Sequence, residues 1–472
     1  SRGTCTSGCP RGWSSAHGRC AKRRCHMTWV GRFGEPALRV LTVFAALALV
    51  VAAGLFIPRQ PLVAIAIAVF VLALGLTLLD PLVIPTLAVP AVLIVQRVGT
   101  ESVNLSVSDV ALAAAFVPAV LLCHRPLSRE FATLIGLNAL YQFATLLTVV
   151  ANPYAANLIE WFHAWLLISG ALFVGWALGR GGRGPVAIRL FMVAVAVIAA
   201  STLAAAVVQY AARDFGPVYP TWPYPMHKNF AGPVLVLAAV GVYLRPGWFG
   251  WRTRSSGWLL GLFLAAAVVT QSRQALLGMA VVFFLVVVRR RVDRRRSRSV
   301  LLVVGVVFGV VGVMVQDQIR SGNRFNSTLQ RLNWFAESVQ VWLTDPWFGV
   351  GLRWWYTDRF EARFQPPNAE LELLTSAGVV GLIAFAVMFG GTVLVLRRID
   401  PAFGVLPLMV LVCRFAQAQF DLFWGAVVGS IPWLIIGLSL GALAYAQAQA
   451  QAQAQAVRSP SGSTPALAGG GL

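Results

Sequence analysis

Three short stretches carry residue types suited to polar chemistry. The first is Thr-Gln-Ser-Arg-Gln at 270–274, between two apolar runs. Arg273 is a planar, permanently charged cation that could grip a diphosphate through paired hydrogen bonds. The same placement suits an arginine that only anchors a helix end. The second stretch, 317–370, mixes both signs of charge with Trp334, Trp342, Trp347, Trp354 and Trp355. Its spacing predicts a helix over 332–343, with Leu332, Phe335, Val339 and Trp342 on one face and Asn333, Glu337 and Gln340 on the other. Gly349 and Gly351 then allow a tight backbone path. Trp342, Trp354 and Trp355 offer ring faces to a sugar or to lipid headgroups. The third stretch is Gln-Pro-Pro-Asn-Ala-Glu-Leu-Glu at 365–372. Asn368 suits a helix N-cap, and Glu370 and Glu372 suit the positive end of that helix. Either carboxylate could instead take a proton from a hydroxyl. Less specific signals are Glu160 with His163 in an apolar run, and Arg414 with Asp421, which could pair.

The elements that must position these residues are transmembrane helices. Of 472 residues, 58% are hydrophobic and only 12% charged, with mean hydropathy +0.73. Soluble domains are about a quarter charged, so a soluble enzyme, a coiled coil and a disordered scaffold are excluded. Apolar runs recur from 37–57 to 424–445 and predict an all-α polytopic bundle of about 12–14 spans. The parts are a basic tail (1–36), a first set of spans (37–316), one large loop (317–370), a last set of spans (371–445) and a low-complexity tail (446–472) expected to lack structure.

The net charge of +21 reflects topology rather than nucleic-acid binding. With the N-terminus inside, 26 of the 38 Lys and Arg fall between the N-terminus and Arg39, in alternate connections and at Arg458. Seven of these are arginines at 289–298. That excess predicts a cytoplasmic N-terminus and places 317–370 outside. Cys5, Cys9, Cys20 and Cys25 lack the tight pairs of common zinc sites. Residues 1–26 share nothing with the rest, and Met27 would suit a natural start. No cleavable signal is expected. The chain has no GxxxxGK[ST] loop and no HExxH motif, so ATP-driven transport by this chain alone is excluded.

Five stretches, in order, resemble the O-antigen ligase family, which includes polysaccharide polymerases and protein O-oligosaccharyltransferases. They are RVGTESVNLSVSD at 97–109, His-Lys-Asn at 227–229 opening a helix, Ser-Arg at 272–273, the run from Arg331 through DPWFGVGL at 345–352, and PPNAELELLTSAGVVG at 366–381. The core of the resemblance spans roughly 220–390. It implies a multi-pass enzyme of the bacterial cytoplasmic membrane with a large periplasmic loop. Such an enzyme transfers a glycan from an undecaprenyl diphosphate carrier to a glycan, lipid or protein acceptor, without cofactor, metal or nucleotide. Carried over, Arg273 and Arg331 would bind the diphosphate, with Arg324 as the alternative second arginine. His227, Asn229 and Asn368 would lie near the glycan or lipid. The family places a His directly before the Asn of its last motif, and here that position is Pro367. Glu370, or else Glu372, is the nearest candidate base. A transporter or flippase of lipid-linked glycan, and a non-catalytic part of an assembly machine, are the competing readings.

Overall fold

The computed structural model describes residues 71–98, 105–121, 126–250, 253–288 and 327–458, except 74, 358, 362, 363, 423 and 425, together with isolated positions at 44, 47, 48, 51, 305, 309, 312 and 316. Arg324, the arginine run at 289–298, and the cysteines of the N-terminal tail lie outside the described residues. The chain divides into two compact units, 1–72 and 73–472. In the first, the few described positions are helical.

The second unit is all-α apart from one two-residue antiparallel ladder, β1 (Arg97–Val98) with β2 (Leu105–Ser106). Its helices are α1 (Val83–Ala91), α2 (Val107–Leu121), α3 (Arg129–Ala151), α4 (Ala155–Trp165), α5 (Ala171–Arg180), α6 (Gly184–Ala211), α7 (Lys228–Leu244), α8 (Thr253–Val269), α9 (Arg273–Val288), α10 (Ser327–Trp342), α11 (Ala369–Arg398), α12 (Pro401–Ala418) and α13 (Ala426–Arg458). A π-turn at Leu166–Gly170 joins α4 to α5 as one span. Six helices among the described residues are long and apolar enough to cross a membrane, and α2, α7, α8 and α9 are shorter apolar helices. The protein is thus an all-α polytopic bundle.

Small residues set the closest packing. Gly175 and Gly179 of α5 face Gly437 and Gly441 of α13. A Cβ on Gly175 would lie 2.2 Å from the Leu434 carbonyl oxygen, and one on Gly437 would lie 2.2 Å from that of Leu172. Helices in lipid gain association energy from such backbone approach, because apolar burial alone distinguishes poorly between partner helix and lipid tail.

The connections sort into two sets. In one, Arg183 pairs with Asp80, Arg180 donates to the Ala444 carbonyl at 3.1 Å, and Trp248 lies against Gly184. In the other, Tyr224 donates to the Leu93 carbonyl at 2.6 Å, Gln271 to that of Phe215 at 2.8 Å, and Asn152 to that of Gly349 at 2.9 Å. The 28-residue α6 runs from the first set to the second, a rise of about 42 Å. Arg180 and Arg183, which the basic-residue pattern assigns to one side, both fall in the first set.

Two local expectations change. The Ala-Gln segment, expected without structure, continues α13 to Arg458. Ala and Gln are good helix formers, and extending an existing helix avoids the nucleation cost. The loop helix α10 starts earlier than 332, and its packed face is rotated from the one expected. Ser338 and Val341 are buried, whereas Val339 is exposed. The Ser338 hydroxyl donates to the Trp334 carbonyl at 2.6 Å, which hides its polarity on the packed face.

Candidate functional site

Three cations meet at helix starts. Lys228 is the first residue of α7, Arg273 the first of α9, and Arg331 lies near the start of α10. The first two helices begin side by side. Gln274 donates to the Asn229 carbonyl at 3.1 Å, and a Cβ on Gly232 would lie 2.6 Å from Ser272 Cβ. Lys228 lies within range of the charges of both Arg273 and Arg331, and Arg273 within range of that of Arg331. Among the described residues neither Lys228 nor Arg331 makes an ion pair. Three like charges are therefore held together where two helix dipoles add further positive potential, an arrangement that favours an anion.

His227 caps α7. Its Nδ1 accepts the Asn229 N–H at 3.2 Å, and its ring lies 5.4 Å from that of Tyr219. Desolvation by the surrounding chain holds its pKa below the ordinary value; Asp421 opposes this and Lys228 adds to it. A neutral imidazole that accepts at Nδ1 carries its proton on Nε2. In the capped state His227 is therefore a donor.

The third motif opens α11. Asn368 accepts the N–H groups of Glu370 and Leu371 at 3.1 and 3.0 Å, as an N-cap should. Glu370 is half-buried. One of its oxygens accepts from Gln419 at 2.9 Å, and the other has no hydrogen-bond partner among the described residues. Gln419 is held in turn by Asn368, which donates to its carbonyl at 3.3 Å. Glu372 points elsewhere, as the helical offset requires. It is only 2% exposed, accepts from Gln365 at 2.6 Å, and lies within range of the buried Arg414. Pro367, where the family has His, is buried.

α11 is broken at Gly378, with φ 64° and ψ −167°. The loop backbone fills the break. Val350 and Gly351 donate to the carbonyls of Thr375 and Ser376 at 2.9 and 3.1 Å, while Val379 and Val380 donate to those of Pro346 and Trp347 at 2.9 and 3.2 Å. A Cβ on Gly378 would lie 2.2 Å from the Trp347 oxygen. The glycines of DPWFGVGL and SAGVVG thus permit two backbones to meet. A helix break within an apolar span persists where its freed groups find partners, and here the loop supplies them. The half-helix bearing Asn368, Glu370 and Glu372 is thereby tied to the loop.

The loop is anchored again on the α3–α4 connection. Asn157 accepts the Leu352 N–H at 2.9 Å, and Tyr154, its pKa pushed up to about 12 by burial, donates to the Val350 carbonyl at 3.4 Å. Beneath lies an ionic cluster that sequence reasoning did not assemble. Arg353 pairs with Glu160, His163 contacts both oxygens of Glu160 at 3.2 Å, and the opposite ring nitrogen meets Asp109 at 3.1 Å. Asp109 also accepts from Ser106, through its N–H at 2.8 Å and its hydroxyl at 2.7 Å. Glu160 and His163 stood out as ionisable residues in an apolar run, and Asp109 ends the 97–109 motif. No local signal linked them to Arg353.

The aromatic residues divide. Trp354 is fully buried against Trp355, Phe360 and Phe364, so its ring faces are taken up by the loop's own small core. Trp342 and Trp355 are half-buried, and Trp342 donates to the Pro346 carbonyl at 3.2 Å.

A search of curated proteins finds no match to the chain. Residues 258–386 match the family model described as O-antigen ligase. That interval contains Arg273, Arg331 and the broken start of α11, and over it the chain is similar to the O-antigen ligases.

Proposed function

We propose that the chain transfers a glycan from a polyprenyl diphosphate carrier to an acceptor hydroxyl at the outer face of the bacterial cytoplasmic membrane. The observation that carries this reading is the gathering of Lys228, Arg273 and Arg331 at two adjoining helix starts. The sugar C1–O bond to the diphosphate breaks, and a C1–O bond to the acceptor forms. The leaving diphosphate keeps the electron pair, and the three cations neutralise the charge that develops on it. Arg273 and Arg331 can each bind it bidentately, and Lys228 adds a point charge. Glu370 takes the acceptor proton, because it is half-buried at the opening of the half-helix, whereas Glu372 is enclosed. One base on the acceptor side plays the part of the general base of an inverting glycosidase, and the diphosphate, its charge neutralised, leaves without the acid that those enzymes also use. The carrier's tail stays in lipid, which requires a site at the membrane boundary. The basic-residue pattern supports placing this set of connections outside and the N-terminus in the cytoplasm.

The broken α11 favours a second reading, transport of a lipid-linked glycan, since discontinuous helices line many transporter sites. Here loop backbone occupies the break. The two readings separate chemically. Purified protein in nanodiscs, given a polyprenyl diphosphate-linked oligosaccharide and its acceptor without nucleotide, should release polyprenyl diphosphate and form a glycosidic bond. A carrier that crosses the bilayer intact, with no bond exchanged, would replace transfer by transport.

A further inference from the structure

A groove of about 370 Å³ runs between α6 and α8, at the end where both helices begin. Arg189, Met192, Val193 and Ala196 line it from α6, and Leu259 lines it from α8. The spacing of the four α6 residues is that of one helix face. The wall therefore turns from cationic to apolar along a rise of about 10 Å. Gly250 lines the cationic end in the left-handed region, at φ 66°, and a Cβ there would lie 3.7 Å from an Arg189 guanidinium nitrogen. The groove opens toward lipid. Val193 is 62% exposed and Trp258 of α8 is 84% exposed, and on a polytopic bundle such apolar surface meets acyl chains.

Arg189 is exposed, and its guanidinium makes no hydrogen bond or ion pair among the described residues. Arg183, six residues earlier, pairs instead with Asp80. Segments 180–189 and 245–254, which flank this end of the groove, hold six arginines and no acidic residue. The start of α8 adds the positive end of a helix dipole beside them. An unpaired cation at the mouth of an apolar groove complements an amphiphile with an anionic head. The head pairs with the guanidinium, and a chain fills the groove. Arg180 and Arg183, at the same end, fall on the side that the basic-residue pattern assigns to the cytoplasm, so the amphiphile comes from the inner leaflet.

We propose that this groove binds one anionic phospholipid, with its phosphate on Arg189 and one acyl chain along Met192, Val193, Ala196 and Leu259. The bound lipid joins α6 to α8 at the far end of α8 from Arg273. The site is independent of the glycan-transfer reading, and its test uses binding rather than turnover. Full-length protein in dodecyl maltoside is titrated with phosphatidylglycerol, with phosphatidylcholine of the same chains, and with inorganic phosphate. Native mass spectrometry counts the lipid retained, and melting is recorded alongside. One phosphatidylglycerol per chain should bind about 5-fold or more tightly than phosphatidylcholine and raise the melting temperature. Arg189→Gln should abolish that preference, and Arg189→Lys, which keeps the charge, should retain part of it. Val193→Trp, which fills the groove from an exposed position, should weaken both lipids. Should that variant fail to fold, the two Arg189 variants carry the test. Arg129→Gln, at an exposed arginine that opens α3, should change nothing. Equal affinity of the wild type for the two lipids overturns the proposal. So does an equal loss of preference in Arg129→Gln and Arg189→Gln, which would mean diffuse attraction to a basic surface. Inorganic phosphate that stabilises as well as phosphatidylglycerol would make Arg189 a phosphate site and overturn it too.

Discussion

Two charged regions stand at the same end of the helices and are built on opposite principles. At Asp109, Glu160, His163 and Arg353 every charge has an opposite partner and almost no solvent. At Lys228, Arg273 and Arg331, like charges are held together at helix starts and only partly buried. The first arrangement can persist by itself, and it joins α2, α4 and the loop. In the second, like charges repel one another, and a bound anion relieves that repulsion. Opposite charges paired in the interior hold the architecture in place, whereas like charges gathered at helix starts suit an anionic ligand.

The largest expected effect lies in the balanced region. Arg353→Ala leaves Glu160 and its neighbours with an uncompensated buried charge, a destabilisation of about 3–5 kcal/mol. Melting in nanodiscs should fall steeply. Exchanging the pair, Glu160→Arg with Arg353→Glu, should restore part of the loss. A neutral Arg353→Ala result would mean that the cluster is not structural.

In the repelling region the order of effects reverses. Arg273→Lys keeps the charge but loses the fork. Losing about 2–3 kcal/mol of charge-assisted bonding lowers transfer roughly 30- to 150-fold. Stability should change little, because Lys keeps the charge of the cluster. A variant that melts early and turns over normally would place Arg273 with the architecture.

The seam between the regions is the break in α11. Gly378→Ala forces a side chain into a left-handed backbone position and against the Trp347 carbonyl, at a cost of about 1–3 kcal/mol. Limited proteolysis should then cut the loop between 343 and 366 faster than in the wild type. Unchanged proteolysis would show that the break is tolerant.

The smallest effect is the pH response of His227. Its native pKa lies below the ordinary 6.5. As pH falls through that value, the unfolded chain takes up a proton before the native one, so native stability declines. His227→Asn keeps a capping side chain and removes the titration. The difference in melting temperature between wild type and variant should narrow on acidification below about pH 6.5. A difference constant with pH would mean that the imidazole is not perturbed.

Much of the helix framework was legible because apolar runs map onto helices almost residue for residue, as at 131–150 against Arg129–Ala151. The cap at Asn368 and the helix opening at His227 were legible because capping is local. The break at Gly378 was not, since Ala-Gly-Val-Val-Gly inside an apolar stretch looks like continuous helix. Its cause is a loop backbone almost thirty residues earlier. Lys228 was passed over although it sits between His227 and Asn229, because its meaning depends on Arg273 and Arg331, brought in by other helices. Arg353 and Glu160 lie nearly two hundred positions apart, and nothing in either neighbourhood announces the other.

The account stands on the three cations holding a diphosphate, and binding tests that more directly than turnover. Undecaprenyl diphosphate without a glycan can be titrated into wild-type nanodiscs and into a variant with Lys228→Gln, Arg273→Gln and Arg331→Gln. The wild type should bind it, with affinity falling as salt rises, and the variant should lose about 100-fold or more at low salt. Equal affinity in the two proteins, with the same salt dependence, would contradict the account.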